Sequence, residues 1–267
     1  MNEALISKAI IEKYMERLIK NLTLDVAIVG GGPSGIVAAR ELARYGFKVA
    51  LFEKKLSIGG GMWGGGMMFN IIVVQKDAIK ILDDYGIPHE EYHSHGLYTA
   101  CAVKTMINLA SKALDAGVTI FNGISAEDIV WDGRRVNGVV INWSAVESGG
   151  LHVDPLVVRA SYVIDATGHE ACVARQLVRK NGVRLYTPTG AVAGEQSMFA
   201  IKGETDVVAN TREIYPGLFV TGMAANACFG GHRMGPIFGG MLLSGKKVAV
   251  QINQFLSGAI FATSAAE

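Results

Sequence analysis

The chain has 267 residues, of which 33 are glycine and 50% are apolar, and its net charge is +1. An apolar fraction this high excludes general disorder, and glycine with no three-residue period and only 6 prolines excludes collagen. The near-zero charge gives no basic field for nucleic acid, and no apolar run reaches the roughly 20 residues of a membrane-spanning helix.

Residues 1–22 place Ile11, Tyr14, Met15, Leu18 and Leu22 at helical spacing, with Ile6, Ala9 and Ile10 upstream. This predicts an amphipathic helix packed on the domain, with a subunit interface as the alternative. Its acidic residues set it apart from a signal peptide. Cys101, Cys172 and Cys228 show no C-x-x-C spacing, which fits a reduced, cytoplasmic protein. Residues 24–30, LDVAIVG, read as a buried parallel strand ending in glycine; a helix follows over about 34–45, and 48–53, KVALFE, is a second buried strand. Strand, glycine turn, helix, strand is the opening unit of a doubly wound dinucleotide-binding fold. Helical periodicity returns at 103–116, a short strand at 118–121, and a hairpin over 128–143 turning at Asp132-Gly133. A buried strand lies within 156–168 and a glycine-terminated strand at 217–222. A long apolar helix is expected over 236–255, with proline at its start. No repeat or linker divides the chain. It reads as one α/β domain over 1–267, with about 95–160 inserted as a β-hairpin and mixed segment carrying substrate and metal.

Many of the glycines gather in three clusters, at 30–35, 59–66 and 222–240. Gly30, Gly32 and Gly35 fit G-x-G-x-x-G, which serves a tight turn, a backbone contact with a pyrophosphate and close helix–strand packing. Glu53 ends the next strand 18 residues after Gly35, placed to accept from ribose hydroxyls and to disfavour a 2′-phosphate. The second cluster, IGGGMWGGGMM at 58–68, reads as a loop over the ligand. The third follows the strand at 217–222, where flavin enzymes of this architecture resemble one another in ending on Gly-Asp; here Met223 takes the place of the acid and weakens a flavin reading.

Asp154, taken to open a strand, and His169, just past that strand's end, offer one carboxylate and one imidazole, an oxygen–nitrogen pair suited to Fe(II), Mn or Zn with positions left open for substrate. On spacing alone, hydrogen-bonded scaffolding and an ordinary Asp-Pro turn explain both as well. His89, His93 and His95 read as a solvated loop, and His232 as scaffold or as a group supporting the residues that touch the ligand.

Taken together, the N-terminal helix, VGGGPSG, FEKK, GGGMWGGGM, HVDP, DATGHE and GMAANACFGGHRMGPIFGGML resemble the thiamine thiazole synthase family over nearly the whole chain. The resemblance implies a Rossmann-like fold of the flavoprotein disulfide-reductase type. It also implies an enzyme that builds an adenosine diphosphate thiazole from NAD, glycine and a sulfur donor, with Fe(II), in a homo-octamer with sites at subunit borders. By position, Asp154 and His169 would ligate the iron from adjacent subunits, and Arg233 would hold the glycine carboxylate. Ser34, Glu53, Lys54, Gly61, Ala126, Val153 and Met223 would line the NAD. Fungal and plant members carry a sulfur-donating cysteine two residues before the Asp of Asp-Pro. This chain has His152 there. An imidazole supplies no sulfur, so the resemblance is to the archaeal branch that takes free sulfide and turns over repeatedly, with His152 a candidate proton shuttle in catalysis. The rival readings are a flavin-dependent oxidoreductase and a ribose bisphosphate isomerase.

Overall fold

A computed structural model of the chain describes residues 2–264. In chain order, α1 (Glu3–Lys20) leads into β1 (Thr23–Val29), α2 (Pro33–Arg44) and β2 (Val49–Glu53). Next come β3 (Ile71–Gln75), α3 (Ile79–Asp84), β4 (His89–Glu91), β5 (Leu97–Cys101), α4 (Ala102–Asp115) and β6 (Thr119–Asn122). The hairpin β7 (Ile124–Trp131) and β8 (Val136–Trp143) follows, then α5 (Ser144–Ser148), β9 (Leu156–Asp165) and α6 (Cys172–Asn181). The chain ends with α7 (Ala200–Asn210), β10 (Arg212–Tyr215), β11 (Leu218–Val220), α8 (Met223–Phe229) and α9 (Gly239–Ser264).

The main sheet runs β10-β11-β9-β1-β2-β6, parallel except for β10 at its edge. β1 is paired on both sides, Val26 opposite Val49 of β2 and Tyr162 of β9, and Val26–Val29 are buried. Burial on both faces is what makes a strand read as an unbroken apolar run. α2 is buried from Pro33 to Leu42, because it lies between the sheet, α4 and α9. This is the doubly wound Rossmann-like arrangement. Among the described residues no helix is long and apolar enough to cross a membrane.

The long strand β9 joins two structures. Its first half, Leu156 to Arg159, pairs antiparallel with β8, while Arg159 onward pairs parallel with β1. From β6 onward the segment 95–160 is therefore continuous with the main sheet, while its β5 lies in a second one. A second sheet, β3-β5-β4, has no counterpart in the sequence reading. Its β4 is the polar tripeptide His-Glu-Glu, which gives no strand pattern.

Two expectations change. The helix expected from residue 236 starts at Gly239, because the Phe238 N–H donates to the Val73 carbonyl of β3 and holds Pro236–Phe238 outside the helix. The N-terminal helix forms, capped by the Asn2 side chain on the Ala4 N–H at 2.9 Å, but Leu18 is its one buried residue. Ile6, Ile10, Ile11 and Met15 are exposed, so packing on the domain is confined to the end of the helix, where Tyr14 stands edge-on to Phe121.

Candidate active site at the carboxyl edge of the sheet

β1, β2, β9 and β11 all end on one edge of the sheet, and the loops leaving them line a cleft of about 820 Å³. This is where ligands bind in open α/β sheets. The turn after β1 is fixed by close backbone approach. Gly30 has φ +104°, and a Cβ there would stand 2.3 Å from the Ala166 carbonyl oxygen of the β9 loop. A Cβ on Gly35 would stand 2.2 Å from the Gly30 carbonyl oxygen, so Gly35 serves the packing beneath the cleft. Gly32, by contrast, faces open space as the N-terminal cap of α2. Free backbone N–H groups and the positive end of the helix dipole meet the cleft there.

Glu53 is buried at the end of β2, and both its oxygens are held by backbone. The Gly31 N–H donates to Oε2 and the Lys55 N–H to Oε1, each at 2.8 Å. The second glycine cluster folds onto this turn through the Gly59 N–H, which donates to the Gly31 carbonyl at 2.6 Å, and Gly60 and Gly61 join the lining. On the other side, the Gly222 N–H donates to Ser244 Oγ of α9 at 2.8 Å, the same hydroxyl that meets Thr221 and Thr211. That bond sets Met223, the first residue of α8, against the cleft.

The loop after β9 is held by Asp165. Its fully buried carboxylate accepts from the Thr167 N–H and hydroxyl at 3.0 and 2.6 Å and from the Ala174 N–H of α6 at 3.0 Å. Burial pushes the Asp165 carboxyl above the usual range, while these hydrogen bonds pull against it. The single 3-10 turn Gly168–Glu170 follows, and His169 projects from it into the cleft lining. Its Nδ1 lies 2.8 Å from both oxygens of Glu195. No local pattern announces Glu195, which stands 26 residues away in an irregular segment. Cys172, at the start of α6, also lines the cleft, and partial burial pushes its thiol up.

Of the residues singled out from the sequence, Gly30, Gly32, Ser34, Glu53, Lys54, Gly61, Ala126, His169 and Met223 come together in this lining. His152, Val153, Asp154 and Arg233 do not. His152, Val153 and Asp154 lie on an exposed segment tethered by the Asn142 side chain on the Val153 carbonyl at 3.1 Å. β9 begins at Leu156, after Asp154 and not at it. The Arg233 backbone bonds Gln196 and Phe199 while its side chain is exposed. Among the described residues no three histidine, cysteine or acidic side chains gather to hold a metal ion. The cleft of one chain thus presents an imidazole nitrogen, His169, a donor type that suits Fe(II) among other metals.

The Thi4 family profile matches residues 7–238. A thiamine thiazole synthase of Solidesulfovibrio magneticus is 56% identical over 97% of this chain and 99% of its own length. The chain belongs to the Thi4 family. Similarity at this level and length supports a thiazole synthase role in thiamine biosynthesis. The thiamine thiazole synthase of Pyrococcus abyssi is likewise 56% identical, covering 96% of this chain and 99% of its own length. The crystal structure of Thermovibrio ammonificans THI4 superposes with a TM-score of 0.94 at 54% identity, covering 96% of this chain and 99% of that one. Within this Thi4 chain the remaining histidines are outside the cleft. His93 and His95 are exposed, as expected. His89, expected to be solvated with them, is instead partly buried on β4, its Nδ1 3.0 Å from the Ile87 carbonyl. His232 is braced by Asp206 at 3.3 Å, and its carbonyl accepts from Asn226, which is scaffolding.

Proposed function

We propose that the cleft converts NAD, glycine and sulfide into an adenosine diphosphate thiazole, with Fe(II), on the way to thiamine. The observation that carries this reading is the lining itself, in which the glycine turn, Glu53 and His169 face one cleft of about 820 Å³, a size that holds a whole small-molecule ligand. The N-terminus of α2 takes the pyrophosphate on backbone N–H groups. Glu53 takes the adenosine ribose: two N–H bonds fix its carboxylate, and each oxygen keeps a lone pair for a hydroxyl. The guanidinium fork of Arg233 suits the glycine carboxylate.

Asp154 and Arg233 lie outside the lining of their own chain's cleft, so in this reading they serve the cleft of a neighbouring copy in a homo-oligomer. His169 of one copy and Asp154 of the next would hold the Fe(II), which would supply affinity for sulfide and stabilisation of developing negative charge. His152, two residues from Asp154, is placed to move a proton. Because it stands where a donor cysteine would, sulfur enters as free sulfide and the enzyme survives each cycle.

The test is anaerobic incubation with NAD, glycine, sulfide and Fe(II). Many turnovers with unchanged protein mass are expected. A single turnover that leaves the protein lighter by one hydrogen sulfide, with a cysteine converted to dehydroalanine, would refute the sulfide reading. The shared site has its own test. Asp154→Ala and His169→Ala are each inactive, and random co-assembly restores roughly a quarter of wild-type sites if the two ligands come from different copies. No recovery on mixing would place both ligands in one chain.

A further inference from the structure

Glu195 has no part in the reading above, yet its position is unusual. Its side chain is 15% exposed against 52% for His169, so the carboxylate sits inside and the imidazole stands out from it. A carboxylate withdrawn from water needs compensation. Among the described residues its hydrogen bonds come from His169 alone, both at 2.8 Å. The two groups are anchored independently. Asp165 fixes the His169 turn, as described. The Glu195 segment is tied to α8 and its end by the Gly194 N–H on the Ala227 carbonyl at 2.8 Å and the Gln196 N–H on the Gly231 carbonyl at 2.9 Å. The Gln196 side chain adds a bond to the Gly230 carbonyl at 2.7 Å. Two braced segments therefore meet in one contact at the cleft wall.

The 2.8 Å contact of Nδ1 with both carboxylate oxygens is satisfied when Nδ1–H donates to Glu195. That leaves Nε2, on the far side of the ring, as the basic atom. We infer that Glu195 is a positioning residue that holds His169 as the Nδ1–H tautomer and aims its Nε2 lone pair at the metal. The inference rests on the metal reading of the cleft. A hydrogen-bonded carboxylate behind a ligating imidazole fixes ring orientation and raises its basicity, and losing such a group costs about 10–100-fold in metal affinity.

The experiment uses the full-length protein, with Fe(II) binding measured by anaerobic equilibrium dialysis, Co(II) substitution followed by visible absorption, and imidazole nitrogen NMR. Glu195→Ala should bind Fe(II) about 10–100-fold more weakly and lose the single Nδ1–H signal of His169, with NAD affinity within about twofold of wild type. Glu195→Gln, which keeps an acceptor oxygen in place, should recover most of the Fe(II) affinity and keep the Nδ1–H signal. Wild-type Fe(II) affinity in Glu195→Ala with the tautomer unchanged overturns the inference. So does a Co(II) spectrum showing that Glu195 is itself a ligand, lost from the coordination shell in the Ala variant. His169→Ala separates the two levels: if it binds Fe(II) as wild type does, the metal reading of the cleft falls and takes the inference with it. If His169→Ala loses Fe(II) and Glu195→Ala does not, only the inference falls.

Discussion

The glycine-turn wall of the cleft and the two exposed residues outside it, Asp154 and Arg233, are built on opposite plans. The wall is buried and its parts hold one another: Gly30 against Ala166, Glu53 on two backbone N–H groups, Gly222 on Ser244. Both side chains are exposed, and among the described residues one side-chain bond, from Asn142 to the Val153 carbonyl, tethers the Asp154 segment. A single chain thus preforms this cleft. In the proposed reading, the chemistry waits for groups that a second chain brings.

The contrast can be broken by substitution, beginning with the largest effect. Gly30→Ala puts a Cβ 2.3 Å from a backbone oxygen at φ +104°, where neither backbone can give way cheaply. A loss of more than about 3 kcal/mol in unfolding free energy is expected, with the NAD affinity lost along with it. Thermal melts and NAD titration read both.

Next is a pH effect in the buried interior between α7 and α9. Glu204 on α7 is buried with its Oε2 on the Gly240 N–H at the start of α9, while its Oε1 and Gln75 Oε1 have no hydrogen-bond partner. Burial raises its pKa from 4.5 to about 7. The folded state therefore holds the proton that the unfolded chain releases. The stabilisation is full below pH 4.5 and lost as pH rises through about 7, a span worth on the order of 3 kcal/mol. Glu204→Gln, with an amide to donate toward Gln75, should flatten that fall and be the more stable protein at pH 8. Denaturant titrations at pH 5 and pH 8 decide it, and parallel curves for the two proteins would remove Glu204 as the cause.

Glu53→Gln sets an amide N–H₂ against one of two backbone donors. It should cost about 1–3 kcal/mol in stability and weaken NAD binding, by melts and calorimetry. The smallest stability effect belongs to the exposed pair. Asp154→Ala and Arg233→Ala should shift unfolding by less than about 0.5 kcal/mol while abolishing thiazole formation. An Asp154→Ala protein as unstable as Gly30→Ala would erase the contrast.

The same division explains what could be read before folding. The glycine turn, its flanking strand and helix, and Glu53 are local features, because strand burial, helix spacing and the turn are written within a few neighbouring residues. The β7–β8 hairpin was legible for the same reason, since Asp132-Gly133 marks its turn. Where an element depended on distant partners, the local signal misled or was silent. α1 has helical spacing whether or not anything covers it, and its apolar face is exposed in the single chain. The start of α9 slipped to Gly239 because a strand, β3, claimed Phe238. β4 formed from three polar residues because β5 offered it an edge.

For the site, sequence by itself set out the residue types: a glycine turn of the phosphate-binding pattern, an acid at the end of the second strand, and an imidazole after a buried strand. Only the tertiary structure decided which of them meet. It gathered the glycine turn, Glu53, Met223 and His169 around one cleft and left Asp154 and Arg233 outside its lining. It also set Glu195 behind His169 across 26 residues. Hydrogen bonds between segments that far apart have no period or motif to announce them, because the chain between them can take any path until packing selects one.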